Sequence, residues 1–284
     1  MLATGDLIIN VALTGMIPTK QDNPHVPITE AEIIQDAIRC ANAGASIFHI
    51  HARDSEGNPT PDPQVYARII EGIRAECPEV ILCVTTSGRN WHRFEQRAAV
   101  LDLDGKAKPD MASLTLSSLN FYQSPSINSP GMIMQLAEKM LEKQIQPELE
   151  VFDPGMINAA QYLLNKEYIK PPLYFNIILG SIYFTQANAR DLAYLVDQLP
   201  AGSTWAAGGI GSCQLPVNTL AIVMGGQVRT GLEDNLWFDC EQHSPGTNEK
   251  YVRRLRELAT ILGRKIITPS EARKRVLGNS QPPA

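Results

Sequence analysis

The sequence predicts a (β/α)8 TIM barrel, an α/β fold, as one domain over residues 1–284. Three observations carry this expectation. Short, continuously apolar runs recur along the whole chain, amphipathic helical stretches separate them, and no linker or low-complexity tract breaks the alternation. Parallel strands covered by helices have no wet face, so they read as unbroken apolar runs rather than as alternating ones. The runs are LIINVAL (7–13), SIFHIHA (46–52), VILCVTT (80–86), MASLTL (111–116), ELEVFD (148–153), LYFNIIL (173–179), STWAAGG (203–209) and QVRTGL (227–232). Eight such units suit a barrel, which averages ~250 residues. A doubly wound open sheet is the alternative. Its dinucleotide fingerprint is missing, because GGIGSCQ (208–214) spaces its glycines closely but is not G-x-G-x-x-G.

The helices are punctuated by their own signals. TEAEIIQDAIRCANAG opens on a capping box, Thr29 to Glu32, and stops at Gly44. PDPQVYARIIEGIRAE has Asp62 as N-cap and Pro63 at the first helical position, with Val65, Ile69, Ile70 and Ile73 on one stripe. Further helical stretches fall at 131–144, 189–199, 214–226 and 248–263, and TPSEARKRVLG (268–278) is a capped closing helix.

A net charge of -5 gives no electrostatic attraction to nucleic acid or to an anionic membrane, so neither is expected as a partner. No apolar run reaches the length a bilayer needs, and the first residues lack a basic n-region. The cysteines at 40, 77, 83, 213 and 240 are odd in number and lack zinc-finger spacing; Cys40 and Cys83 lie in apolar periodic segments and read as small core residues of a reducing compartment, the cytoplasm.

In such barrels the reactive face lies at the carboxyl ends of the strands. There the sequence gathers His49 and His51, the hydroxyls of Thr85, Thr86 and Ser87, and Ser113, Thr115 and Ser117 on one strand face. It adds the acidic pair Glu148 and Glu150, then Arg229, Glu233 and Asp234. Residues two apart on a strand share a face, so His49 and His51 can meet a carboxylate across the mouth. Two histidines and one carboxylate with an open position make a catalytic zinc pattern, and either Glu233 or Glu150 suits the third place. The plainer alternative is a pair of hydrogen-bonded core histidines.

Asp234 is either a solvated loop charge or a base for a carbon acid whose pKa the metal has lowered. Arg229 is either a rim salt-bridge residue or a fixed cation for a substrate carboxylate. His25, His92 and His243 lie in polar loops and read as surface residues. Lys20, Arg53, Arg89 and Arg93 read as solvated loop charges, with a phosphate-bearing cosubstrate as the other option. The amides of GIGSCQLP could also receive an anion.

Five stretches together resemble the β-keto acid cleavage enzymes: TGMIPTKQDNPHVPIT, AGASIFHIHARDSEGNPT, KPDMASLTLSSLNF, PELEVFDPGM and GGQVRTGLEDNLW. The resemblance implies a zinc-dependent barrel that converts a β-keto acid and acetyl-CoA into acetoacetate and a new acyl-CoA. It places zinc on His49, His51 and Glu233, the general base on Asp234, and Arg229 beside substrate and base. Thr85 and Ser113 fall on hydroxyl positions for the substrate carboxylate, in the reverse order to the founding member, and a tetramer is implied. Ser87, Thr115 and Glu150 are further candidates lining the mouth.

The founding member's glutamate for the substrate ammonium is replaced here by Ile17, so the expected tail is apolar or otherwise uncharged. A quaternary ammonium held by Trp91, Tyr122, Tyr183 or Phe184 is the alternative. Competing functions are a metal-dependent hydrolase and an aldolase or lyase working without coenzyme A. A barrel with a purely structural metal would instead need a closed shell of four ligands.

Overall fold

The computed structural model describes residues 5–278; residues 1–4 and 279–284, the ends of the expected domain, lie outside the described residues. The strands in chain order are β1 (Ile9–Ala12), β2 (Ile47–Ile50), β3 (Ile81–Val84), β4 (Met111–Thr115), β5 (Leu119–Asn120), β6 (Pro125–Ser126), β7 (Gln146–Val151), β8 (Tyr174–Leu179), β9 (Thr204–Gly209) and β10 (Gln227–Thr230). Eight of them close into a parallel barrel in the order β1-β10-β9-β8-β7-β4-β3-β2, and β5 and β6 form a small antiparallel hairpin. Each of the eight apolar runs became a barrel strand. The chain is an α/β TIM barrel, as its sequence implied.

The helices are α1 (Glu30–Ala43), α2 (Pro63–Glu76), α3 (Phe94–Ala98), α4 (Pro130–Glu142), α5 (Pro154–Asn165), α6 (Ala189–Asp197), α7 (Gln214–Val223), α8 (Asn248–Ile261) and α9 (Pro269–Leu277). The predicted caps form: Thr29 accepts from the Glu32 amide while the Glu32 carboxylate accepts from the Thr29 amide. Asp62 accepts from the Gln64 amide. The helix α5, the short α3 and the β5–β6 hairpin had no counterpart in the sequence reading. None of the described helices is long and apolar enough to cross a membrane, and all five cysteines are free.

Strand alternation sorts the side chains into two populations. Phe48, Ile50, Leu82 and Val84 face outward into the large core shared with the helices. Ile8, Ile47, Ile81, Met111, Tyr174 and Ala206 face inward and meet Ala272, Val276 and Leu277 of α9. The expected closing helix therefore plugs the amino end of the barrel, leaving the carboxyl end open for chemistry.

One buried carboxylate ties that plug to the wall. Asp110, just before β4, pairs with Arg74 of α2 at 2.9 Å and with Arg273 of α9 at 2.8 Å, and accepts from the Leu82 amide at 2.9 Å. Both arginines are buried too. Removing one partner of such a group strands the others without compensation. Asp110→Ala is expected to cost about 3–5 kcal/mol of folding stability, read as a lowered urea midpoint in chemical denaturation; a change near zero would contradict the role given to Asp110.

Candidate active site

The site begins with a carboxylate deep inside the barrel. Glu148 of β7 is fully buried, and each of its oxygens is engaged. Oε1 accepts from Asn10 Nδ2 at 2.8 Å and from Asn176 Nδ2 at 3.0 Å. Oε2 lies 2.7 Å from His49 Nδ1, with the Cys83 thiol at 3.4 Å. Burial alone would raise the Glu148 pKa, but the His49 ring outweighs it and brings it down to about 2. Conversely, burial disfavours a charged His49, yet Glu148 and Glu233 push its pKa up to about 9.

With Nδ1 committed to Glu148, His49 turns Nε2 toward the open end. There it lies 3.2 Å from Nε2 of His51, which sits one residue past β2. Glu233 completes the cluster, with Oε1 3.4 Å from His51 Nε2 and Oε2 4.0 Å from His49 Nε2. Burial works against a charged Glu233, but His51, Arg229 and His49 hold its pKa well below the usual carboxylate range. Its Oε2 is buried without a hydrogen-bond partner. Two convergent ring nitrogens and an orphaned carboxylate oxygen fit a divalent cation, and this donor set suits zinc. The carboxylate behind His49 is the usual support for such a ligand, since it fixes the tautomer.

Two glycines let the chain bring Glu233 there. Gly15 has φ +69°, and a Cβ on it would stand 2.7 Å from Glu233 Cγ. Gly231 has φ +139°, and a Cβ there would run into the Ala12 carbonyl. The ends of β1 and β10 thus approach more closely than side-chain-bearing residues allow.

Next to the cluster stands the second half of the site. Arg229 of β10, fully buried, donates from Nε and Nη2 to Asp234 at 2.8 and 3.1 Å and from Nη2 to Glu233 at 3.0 Å. Its Nη1 lies 4.0 Å from Glu150, whose other oxygen accepts from Thr115 Oγ1 at 2.6 Å. Burial raises the pKa of Asp234 against the pull of Arg229, and burial also raises that of Glu150. Asp234 is thereby a stronger proton acceptor than a solvated aspartate, held in one orientation by a bidentate guanidinium.

These groups line one cavity of about 230 Å³ at the carboxyl end of the strands. Of the residues singled out from sequence, His49, His51, Arg229, Glu233 and Asp234 converge there. Thr85, Ser87, Thr115, Glu150 and Ile17 also line it. Ser113 does not: its hydroxyl accepts from the Thr86 amide at 3.1 Å, beneath the cavity. Glu150 faces Arg229 rather than the histidines, leaving Glu233 as the carboxylate of the histidine cluster.

Arg53 is not the solvated loop charge expected of it. It is 4% exposed and donates to the carbonyls of Gly15, Pro18 and Gly57, bracing the loop after β1. Arg89 is half-buried in the cavity wall, whereas Lys20, Arg93, His25, His92 and His243 are exposed as anticipated. The GIGSCQLP amides are partly engaged internally, the Gly211 amide donating to the Asp234 carbonyl. Sequence reasoning missed the role of Glu148. Its spacing from Glu150 placed both on one face, but which histidine it meets depends on barrel closure.

Closed barrel, acid-base pair and metal-suited cluster at the open strand ends together define a barrel enzyme acting on a small molecule. The chain belongs to the β-keto acid cleavage enzyme family, whose model matches residues 6–277. A Fusobacterium nucleatum protein named 3-keto-5-aminohexanoate cleavage enzyme is 39% identical, covering 94% of this chain and 96% of the relative. A Cupriavidus necator protein named 3-oxoadipate:acetyl-CoA acetyltransferase is 36% identical over 95% of this chain and 94% of its own length. Among solved structures, the ternary complex of ObcA with a C4-CoA adduct and oxalate superposes with a TM-score of 0.80 at 21% identity, covering 89% of this chain and 67% of that one. At that identity the likeness concerns the fold.

Because Glu148 orients His49, Glu148→Gln is expected to weaken zinc binding about 10–100-fold. Competition with a chromogenic chelator measures this, and an unaltered affinity would separate Glu148 from the metal-suited cluster.

Proposed function

We propose that the protein exchanges acyl groups between a β-keto acid and acetyl-CoA, releasing acetoacetate and the acyl-CoA of the keto acid. The observation that carries this reading is the bidentate Arg229–Asp234 pair set directly beside the His49–His51–Glu233 cluster in one cavity. Zinc held by His49, His51 and Glu233 would supply Lewis-acid stabilisation of the oxyanions of substrate and intermediates.

The carbon between ketone and carboxylate gives up its proton to an Asp234 carboxylate oxygen, leaving an enolate. That carbon forms a bond to the acetyl carbonyl, and the coenzyme A thiolate departs. The thiolate then adds to the original ketone, the bond between that carbonyl and the former enolate carbon breaks, and acetoacetate leaves as its enolate. Asp234 returns its proton to that carbon, so atoms and charge balance over the cycle. Arg229 keeps Asp234 aimed throughout, and Glu150, fixed by Thr115, flanks the guanidinium. Thr85 and Ser87 offer hydroxyls to the substrate carboxylate. Ser113 supports the loop after β3 through the Thr86 amide rather than reaching into the cavity.

Relatives named for acetyl-CoA transfer support the cosubstrate. The odd number and the spacing of the cysteines favour a cytoplasmic enzyme, and we infer a homo-oligomer, a tetramer as in the family.

Purified protein incubated with acetyl-CoA and a panel of β-keto acids should form acetoacetate, and Asp234→Asn should lower kcat at least about a hundredfold. Chelation followed by zinc addition should abolish and restore turnover. Cleavage that proceeds without acetyl-CoA would replace this reading with a lyase; full activity of Asp234→Asn would remove the base.

A further inference from the structure

The cavity wall holds a cation that the reaction above does not employ. Arg89, on the loop after β3, lines the cavity, and among the described residues its guanidinium has neither hydrogen bond nor ion pair; its Nε is buried without a partner. Burial lowers its pKa while Glu233 and Glu150 favour its charged form across the cavity. Those carboxylates are themselves committed, Glu233 and Asp234 to Arg229 and Glu150 to Thr115. A half-buried cation without a counterion is costly unless a ligand brings one.

The guanidinium is held ready for such a ligand. Its carbon sits 3.8 Å above the Phe121 ring, which lies in the β5–β6 turn and packs edge-on against Phe152 and Phe184. Stacking on a ring leaves the in-plane N–H edges free, the geometry that grips a carboxylate bidentately. The loop beneath is clamped. Arg97 donates to the carbonyls of Thr86 and Ile127 and to the Asn128 side chain, and the Ile127 amide donates to the Gly88 carbonyl. A Cβ on Gly88 would collide with the Ile127 carbonyl, so the residue before Arg89 has no room to swing. Ile17, in the same cavity, adds no charge that would repel an anion.

We propose that Arg89 is a specificity-determining residue that binds a second carboxylate on the tail of the keto acid, making β-keto dicarboxylic acids the substrate class. The inference rests on the proposed acyl exchange. It replaces the uncharged tail expected from Ile17 alone, which took no account of a cation brought into the wall by a clamped loop. Coenzyme A also carries anionic oxygens, but its pantetheine arm keeps the phosphates far from the thioester. Arg89 lies close enough to Glu233 and Glu150 to feel both.

Steady-state kinetics on β-keto acids of equal length ending in carboxylate, in an uncharged amide or in ammonium test this, with acetyl-CoA saturating. The carboxylate tail should exceed the amide about 10–100-fold in kcat/KM, the value of a charge-assisted pair, and the ammonium tail should rank last. Arg89→Met should collapse that ratio toward one, and Arg89→Lys should keep part of it. Equal or reversed preference in the wild-type protein would overturn the proposal. So would Arg89→Met raising the KM for acetyl-CoA alike with every keto acid, since that places coenzyme phosphate at Arg89. Acetoacetate from none of the acids would instead sink the acyl exchange itself, and this subsite with it.

Discussion

The buried contact between Glu148 and His49 is the constraint on which the rest of the site depends. A carboxylate at the centre of a barrel is unfavourable unless every lone pair is used and a positive charge or donor faces it. Glu148 meets both conditions through Asn10, Asn176 and His49. Each partner comes from a different strand, so the carboxylate is satisfied only when the barrel has closed in the right register: Ser113 against Glu148, Glu148 against Tyr174, Ala12 against His49. Fold and site are therefore coupled through one residue. Its consequence for chemistry is the direction of a single nitrogen. A His49 ring anchored at Nδ1 presents Nε2 to His51 and Glu233.

Above that anchor the charge balance is uneven. Four carboxylates, Glu148, Glu150, Glu233 and Asp234, face one guanidinium and two imidazoles. The protein answers in part by raising the proton affinity of His49 and of two buried acids, Glu150 and Asp234. A divalent cation at the histidine cluster would answer it more fully, and would relieve the unpartnered Oε2 of Glu233. The same surplus engages Arg229 through Nε and Nη2, which suits a positioning role, while its Nη1 is buried without a hydrogen-bond partner, 4.0 Å from Glu150.

Much of this was legible in the sequence because it followed from period and position. The barrel strands announced themselves as apolar runs, and His49 and His51 on one strand face, with Glu233 and Asp234 past the last run, marked the open end. What escaped notice was set by distance in sequence. Glu148 lies 99 residues from the histidine it anchors, and no local pattern says which inward residue of one strand meets which of another. Ser113 shares the face of Thr115 but lies one register step below it, beside Glu148, with its hydroxyl oxygen accepting from the Thr86 amide. Arg53 looked like a loop charge because loops are usually wet. Here it folds inward, and Arg97 does the same, each satisfying carbonyls of the loops that shape the cavity. The helix α5 begins on an Asp-Pro pair directly after β7, so its start merged with the end of an acidic strand.

The cavity thus joins two kinds of wall with different freedom to change. The floor is a network in which each charged group answers another, so altering one member strands its neighbours in a low dielectric. The rim is built from the loop after β1, the loop after β3 and the β5–β6 hairpin, and among the described residues the side chains of Ile17 and Arg89 share no hydrogen bond with that network. A rim residue can be exchanged without breaking a hydrogen bond of the proton acceptor or of the histidine cluster, although a charge at position 89 is felt by Glu233 and Glu150. A barrel built this way can keep one bond-forming chemistry while loops alone set which tail enters. In this chain the rim combines an apolar residue at 17 with a clamped, stacked and unpaired guanidinium at 89, and that combination selects by charge rather than by shape.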